Sequence, residues 1–294
     1  MKKNRNQCGR RKERWFSNAC LIPSLVGVLI FFVIPFGIVI YYSMINNPIV
    51  KEYVGMENYK NLMENEAFKR ASKNTAAFSL IAVPLATFLS LGLAVLLERN
   101  IPGKSFFRTL FLSPLMVPTA SVVLVWQVLF HKHGTVNQIM EMFGGDSIDW
   151  LKAPQGQVVI ILMFLWKNLG YNMILYMSAL CSIPRDIIEV AELEGAGSIY
   201  QFFHIKLRYL SPTILFVFIL SLINSFKIFR EVYLLTGSYP YGKLYMLQHF
   251  MNNTFQNLDY QKLSAAAVLF SLVMIVIIAV LLIAENIFGK DVEN

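Results

Sequence analysis

Long apolar stretches alternate with short polar ones along the whole chain. Six of them stand out, at about 21–44, 76–97, 106–130, 157–181, 213–235 and 263–285. An apolar run of about 20 residues matches the hydrocarbon thickness of a bilayer. Inside a bilayer only a helix or a closed barrel satisfies every backbone group, and runs this long predict helices. The fold class expected is an all-α polytopic membrane protein with about six transmembrane helices. The second and sixth stretches are nearly uninterrupted. The third carries Pro114 and Pro118, which predict a kink, and the fifth holds Asn224, Lys227 and Arg230 towards one end. The first stretch follows a basic segment, as a signal peptide would. It is too long for one, contains Pro23 and Pro35 and lacks a small-residue cleavage site, so a retained span is expected.

Composition agrees: 56% of the 294 residues are hydrophobic and 15% charged, with mean hydropathy +0.52. Of the net charge of +8, much sits in Lys2, Lys3, Arg5, Arg10, Arg11, Lys12 and Arg14. A cluster leading straight into a span marks a cytoplasmic anchor rather than a nucleic-acid arm. Residues 1–20 are then inside, six spans return 286–294 to the inside, and 98–105 and 182–212 are inside loops. In this orientation both ends of the chain lie on the cytoplasmic side. The outside segments 45–75 and 131–156 are short and rich in turn residues. Cys8, Cys20 and Cys181 form neither a metal spacing nor a disulfide framework, and His131 and His133 have no further ligands near them in sequence. The Gly-x-x-x-x-Gly-Lys-Ser/Thr phosphate loop is absent, so any ATP is expected on another chain.

The loop 182–212 is the most informative segment. Pro184 suits a first helical turn, Asp186 sits near that helix's positive end, and Ile187, Ile188 and Ala191 make a narrow apolar face. Gly195 and Gly197 flank Ala196 and predict a sharp turn. Ser198 with Gln201 three residues on is a capping-box pattern, and Phe202, Phe203, Ile205 and Leu207 give the second helix apolar surface. Two short helices at a glycine elbow could dock in a groove of a soluble partner or rest on lipid headgroups.

Within this loop Glu189-Val190-Ala191 is followed after three residues by Gly195, and after nine more by Ile205-Lys206-Leu207-Arg208. That spacing resembles the Glu-Ala-Ala loop of the membrane subunits of binding-protein-dependent ABC importers. Val190 and Arg208 depart from the usual Ala and Pro. Further stretches are similar to the sugar-importer branch: Val54 to Tyr59, Asn74-Thr75, Phe107 to Leu110, Trp126, Gly134 to Asn137, Trp150-Leu151, Trp166-Lys167 and Val232 to Gly237. The resemblance implies a permease subunit importing a sugar or oligosaccharide. Glu189, Ala191, Gly195, Ala196 and Phe203 would then couple to an ATPase. The implied partners are a second homologous permease, usually forming a heterodimer, two ABC ATPase subunits that bind the ATP and Mg, and an extracytoplasmic solute-binding protein. No catalytic residue, metal or cofactor is expected in this chain.

Lys167, Asn168, Tyr171 and Asn172 place polar groups on one side of the fourth span, and Asn224, Ser225 and Lys227 do so in the fifth. Polar groups inside a span line a path or tie helices together. Lys167 could line a sugar path or pair with a loop carboxylate. The rival functions are a membrane enzyme, which lacks a nucleophile–base set here, and an ion-coupled secondary transporter, which would need mid-span carboxylates. Import of a glycerol phosphate by the same machinery is the remaining alternative.

Overall fold

The computed structural model describes residues 21–99, 101–152 and 155–288. The basic N-terminal cluster, Cys8, Cys20 and residues 289–294 lie outside the described residues. Among the described residues the only extended pairing is one isolated bridge, Ile45 with Tyr53. The described residues divide into two compact units, 21–64 with 254–272 and 65–253 with 273–288.

In the first unit, α1 (Leu21–Ser43) is apolar all round, and no residue of its most hydrophobic stretch is buried. A helix without a polar face belongs in lipid or against other helices. The loop that follows closes on α2 (Glu57–Glu64). Asn58 Nδ2 donates to the Ser43 and Ile45 carbonyls at 3.0 and 2.8 Å, and the Tyr59 and Ser43 hydroxyls meet at 2.7 Å.

The second unit is a helical bundle. Its helices are α3 (Glu66–Glu98), α4 (Lys104–Met116), α5 (Thr119–Leu129), α6 (Thr135–Met142), α7 (Gly156–Cys181), α8 (Arg185–Leu193), α9 (198–227) and α10 (Phe229–Thr236). The chain continues into α11 (Leu247–Gln256) and α12 (Tyr260–Phe288). Helix α3 begins at a cap, Asn65 Oδ1 accepting from the Phe68 N–H at 3.0 Å. It buries Ala71, Ala82, Ala86, Ser90 and Ala94 on one face. In lipid, where apolar burial brings no gain over the acyl chains, such small residues let helices approach and gain dispersion contacts.

Helix α7 approaches α4 more closely still. A β-carbon on Gly170 would lie 1.8 Å from the Phe111 carbonyl oxygen, so only glycine fits. Two apolar cores result, one around Phe78, Val122, Phe164 and Val232 and one around Leu97, Tyr176, Leu180 and Leu210.

Five described helices are long and apolar enough to cross a membrane: α1, α3, α7, 198–236 and the α12 segment. The stretch 106–130, expected as one kinked span, is α4 and α5 meeting at 103°, a pair that is together long and apolar enough to be a sixth, broken span. Pro118 excludes the α region for the residue before it, and Val117 is extended, with φ −83° and ψ 129°. The second and fifth helices also begin earlier than the apolar pattern suggests, at Glu66 and Ser198 rather than 76 and 213. Their first turns mix polar with apolar residues, Glu66 and Lys69 in one and Ser198 and Gln201 in the other, so a hydropathy window does not reach them.

Candidate functional site

The elbow in 182–212 is built by its own backbone. Helix α8 ends with Gly195 at φ +81°. The Ala196 N–H donates to the Ala191 carbonyl at 2.9 Å and the Gly195 N–H to the Glu192 carbonyl at 3.0 Å. This pair of bonds is the Schellman closure, which needs a left-handed residue that glycine occupies without strain. The capping box expected at Ser198 does not form. Gly197 is the N-cap and makes no side-chain bond. Gln201, buried, instead donates to the Ala196 carbonyl at 2.9 Å and locks the turn from inside. Nor is the second helix short. It passes a π-turn at Phe202–Lys206 and runs on without a break as α9. Arg208, which departs from the family's Pro, lies within that continuous helix.

The elbow therefore displays apolar side chains to the surroundings. Leu193 is 88% exposed, Ile199 77% and Phe203 58%. Of the residues singled out for coupling, Glu189 and Gly195 are exposed, Ala196 is half-buried and Ala191 is buried against its own fold. The expected apolar face of Ile188 and Ala191 packs inward, so the outward one is Val190, Leu193 and the aromatic start of α9. The elbow is tied to α3 by Lys206, whose ammonium lies 2.8 Å from both carboxylate oxygens of Glu98.

Between the two apolar cores runs a band of polar contacts. Asn172 Nδ2 donates to Ser221 Oγ at 2.9 Å, Asn224 Nδ2 to Asn168 Oδ1 at 3.0 Å, and Ser79 and Ser225 share a bond of 2.8 Å. Lys167 pairs with Glu231 of α10 and donates to Thr119 Oγ1, at 3.3 Å, in the first turn after the Pro118 bend. The one-sided stripe expected on the fourth span splits accordingly. Asn172 is fully enclosed, Asn168 and Lys167 are half-buried, and Tyr171 faces outward. On the fifth, Lys227 is exposed and Asn224 half-buried.

Glu231, 4% exposed, is the residue that sequence reasoning missed. The partner of Lys167 is a carboxylate within the fifth stretch, not one from a loop. The Arg230-Glu231 pair interrupting an apolar run was its signal.

Several stretches that looked like mere family markers act as clasps. Asn74 Nδ2 reaches the Gly242 and Tyr245 carbonyls at 3.0 and 2.9 Å, and Thr75 Oγ1 accepts the Leu247 N–H at 2.8 Å, where α11 begins. Asn137 gathers the loop after α5, bonding to Lys132, Ile148 and Trp150. On α11, outside the long apolar helices, His249 is fully enclosed with Phe229 edge-on at 4.7 Å. Burial pushes its imidazole down to about 4, because a charged ring there has lost its water.

Long apolar helices around a polar waist define a multi-pass membrane protein of the permease kind. The chain belongs to the family described as "Binding-protein-dependent transport system inner membrane component", whose model matches residues 78–294. It is thus a transport subunit. It is 30% identical over 219 residues to the sn-glycerol-3-phosphate transport system permease protein UgpA of Escherichia coli O6:K15:H31, covering 73% of this chain and 74% of that one. To the trehalose/maltose transport system permease protein MalF of Thermococcus litoralis it is 28% identical, covering 84% and 86%. A crystal structure of a bacterial alginate ABC transporter, in complex with alginate pentasaccharide-bound periplasmic protein, contains a chain of the same fold. The two superpose with TM-score 0.82 at 22% identity, covering 95% of this chain and 96% of that one.

Proposed function

We propose that this chain is half of the translocation path of an ATP-driven importer for a saccharide, with both termini in the cytoplasm. A second, similar permease supplies the other half. ATP and Mg bind on two separate ATPase subunits, and an extracytoplasmic protein delivers the solute. What supports the sugar class is the relative whose name gives trehalose/maltose, while the name of the other gives glycerol phosphate, the alternative cargo. The amide groups of the waist, at Asn168 and Asn224, suit sugar hydroxyls when the helices part, and Tyr171 faces outward from the same helix as Asn168.

The observation that carries the coupling role is the exposed apolar elbow continuous with α9. Exposed Leu193 and Phe203 would be a liability on an unpartnered surface, and a groove on an ATPase covers them in the helix-in-groove manner. Movement of the elbow reaches the waist directly, because α9 carries both Phe203 and Asn224 without a break, and reaches α3 through Lys206 and Glu98. Glu189, Gly195, Ala196 and Phe203 stand at the contact, and Ala191 holds the elbow's shape from beneath.

The test is retention of a co-expressed ATPase on purification. Leu193→Asp puts a charge on an exposed position and leaves the fold intact. Retention should fall at least tenfold, with no change in detergent-solubilised yield of the permease. Full retention, or vanadate-insensitive uptake, would refute the coupling role.

A further inference from the structure

The end of the bundle opposite the elbow holds a cavity of about 740 Å³ that the coupling mechanism does not use. It is bounded by the N-terminal part of α3, the end of α5, the segment before α7 and the chain after α10. Glu98, at the elbow end of α3, is 28 residues from Arg70 at the cavity, roughly 40 Å along a helix. A concave space of this size falls within the roughly 300–1,000 Å³ of small-molecule sites.

The lining has a definite chemistry. Arg70, Lys132 and Lys152 bring three cations to it, and Asp149 is the one carboxylate among the lining residues. Asp149 lies 3.6 Å from Lys152 and offsets it. Arg70 has an exposed carboxylate neighbour on its own helix, Glu66, but that group is hydrogen-bonded to Lys69 at 2.8 Å. The cavity is therefore net positive through Arg70 and Lys132. Cations gathered in a concavity concentrate anions there, because the low-dielectric walls focus their field.

Two exposed tyrosines complete it. Tyr239 and Tyr241 are 74% and 67% exposed on either side of buried Pro240. An aromatic face left open at a cavity offers a platform for the apolar face of a pyranose ring, with a polar hydroxyl at its rim. Guanidinium and ammonium groups beside such platforms suit a sugar that carries carboxylate, sulfate or phosphate.

We propose that this cavity is an entry site for an acidic saccharide, receiving it before it reaches the polar waist. The proposal rests on the saccharide-import reading and narrows it. It places selection for negative charge at the mouth, whereas Lys167, the cation in the waist, is already neutralised by Glu231.

The test uses the full chain in its complex with the second permease and the ATPases, in nanodiscs, without the solute-binding protein. Calorimetry compares tetragalacturonate with maltotetraose. The acidic tetrasaccharide should bind, less tightly at high salt. The Arg70→Gln, Lys132→Gln variant should bind it about tenfold more weakly per cation removed, with binding of maltotetraose unchanged. Both positions are exposed, so the variant should fold as the parent does. Tyr239→Ala with Tyr241→Ala should weaken both sugars.

Equal binding of the two sugars, or of the acidic one to parent and variant, would overturn the proposal. So would a variant that binds tetragalacturonate normally but loses the solute-binding protein, since the cations would then serve docking. Binding-protein-dependent uptake by the unmutated complex checks the import reading separately. Its absence would sink that reading, whereas absence of charge-selective binding sinks this one.

Discussion

The bundle contains two sharp bends, and they are held in opposite ways. The Gly195 elbow closes on itself. Two backbone bonds and the Gln201 amide satisfy it, and a β-carbon built on Gly195 would meet nothing within 4 Å. The Pro118 bend has no such closure. Pro118 caps α5 without a side-chain bond, and its geometry is held from outside, by Lys167 on Thr119 and by the close seat of α4 on Gly170. A self-closed bend keeps its shape when its surroundings change, which suits a surface handed to another protein. A bend held by its neighbours changes when they move, which suits a segment beside a path that opens and closes.

The largest way to break this contrast is to remove one partner of the buried pair. Glu231→Ala leaves Lys167 charged without a counter-ion and should cost about 3–5 kcal/mol. Thermal unfolding of the purified complex should report that loss. The double variant Lys167→Met, Glu231→Leu removes both charges and should recover most of the stability, since well-packed apolar replacements of buried pairs are often neutral. Its Pro118 bend has lost its tie to α7, so hydrogen exchange over 115–122 should rise while exchange over 190–200 stays at the parental level. Parental exchange at both bends would show that the pair is not what holds the first.

Acid should act on the same side. His249 packs on Phe229 at the start of α10, the helix carrying Glu231, and Tyr245 is its other ring neighbour. Its folded-state pKa of about 4 lies below the unfolded value near 6.5. Between these values the unfolded chain binds the proton and the folded chain does not. Stability is therefore full above about pH 6.5 and is lost as pH falls towards 4, by up to about 3 kcal/mol. His249→Asn, which can still accept the Met246 N–H, should flatten that slope in thermal unfolding between pH 7 and 4.5. An unchanged slope would assign the acid sensitivity elsewhere.

The two bends were also unequally legible in the sequence. Gly195 announces itself, because a glycine after an amphipathic stretch is a local signal and the closure it makes is local too. Pro118 announced a kink but not its size. The 103° angle depends on Thr119, Lys167 and Phe111, which lie far apart in sequence or only meet once the bundle has packed. The pairing of Glu231 with Lys167 was hidden for the same reason, since an ion pair spanning 64 residues leaves no periodic trace. Hydropathy found the apolar stretches, yet it missed the mixed first turns of α3 and α9, whose beginnings are set by the Asn65 cap and the Gly197 turn. The stripe through Asn172 was only half legible, because helical spacing shows which residues share a face and not which of them bond to another helix, as Asn168 and Asn172 do.

The smallest expected effect is at the self-closed bend. Gly195→Ala adds a β-carbon in open space, so any cost comes from the left-handed backbone alone, about 1–2 kcal/mol. The fold should tolerate it, since closure is local and the bundle does not depend on it. Retention of the ATPase should weaken by about five- to thirtyfold if the elbow relieves the strain by opening. Gly195→Asn separates shape from side chain, because Asn adopts this conformation more readily than Ala. Its retention should lie between that of Ala and the parent, although its side chain is the larger. Retention that instead falls in order of side-chain size would mean the partner packs directly on Gly195, and that the elbow's conformation is not what the ATPase reads.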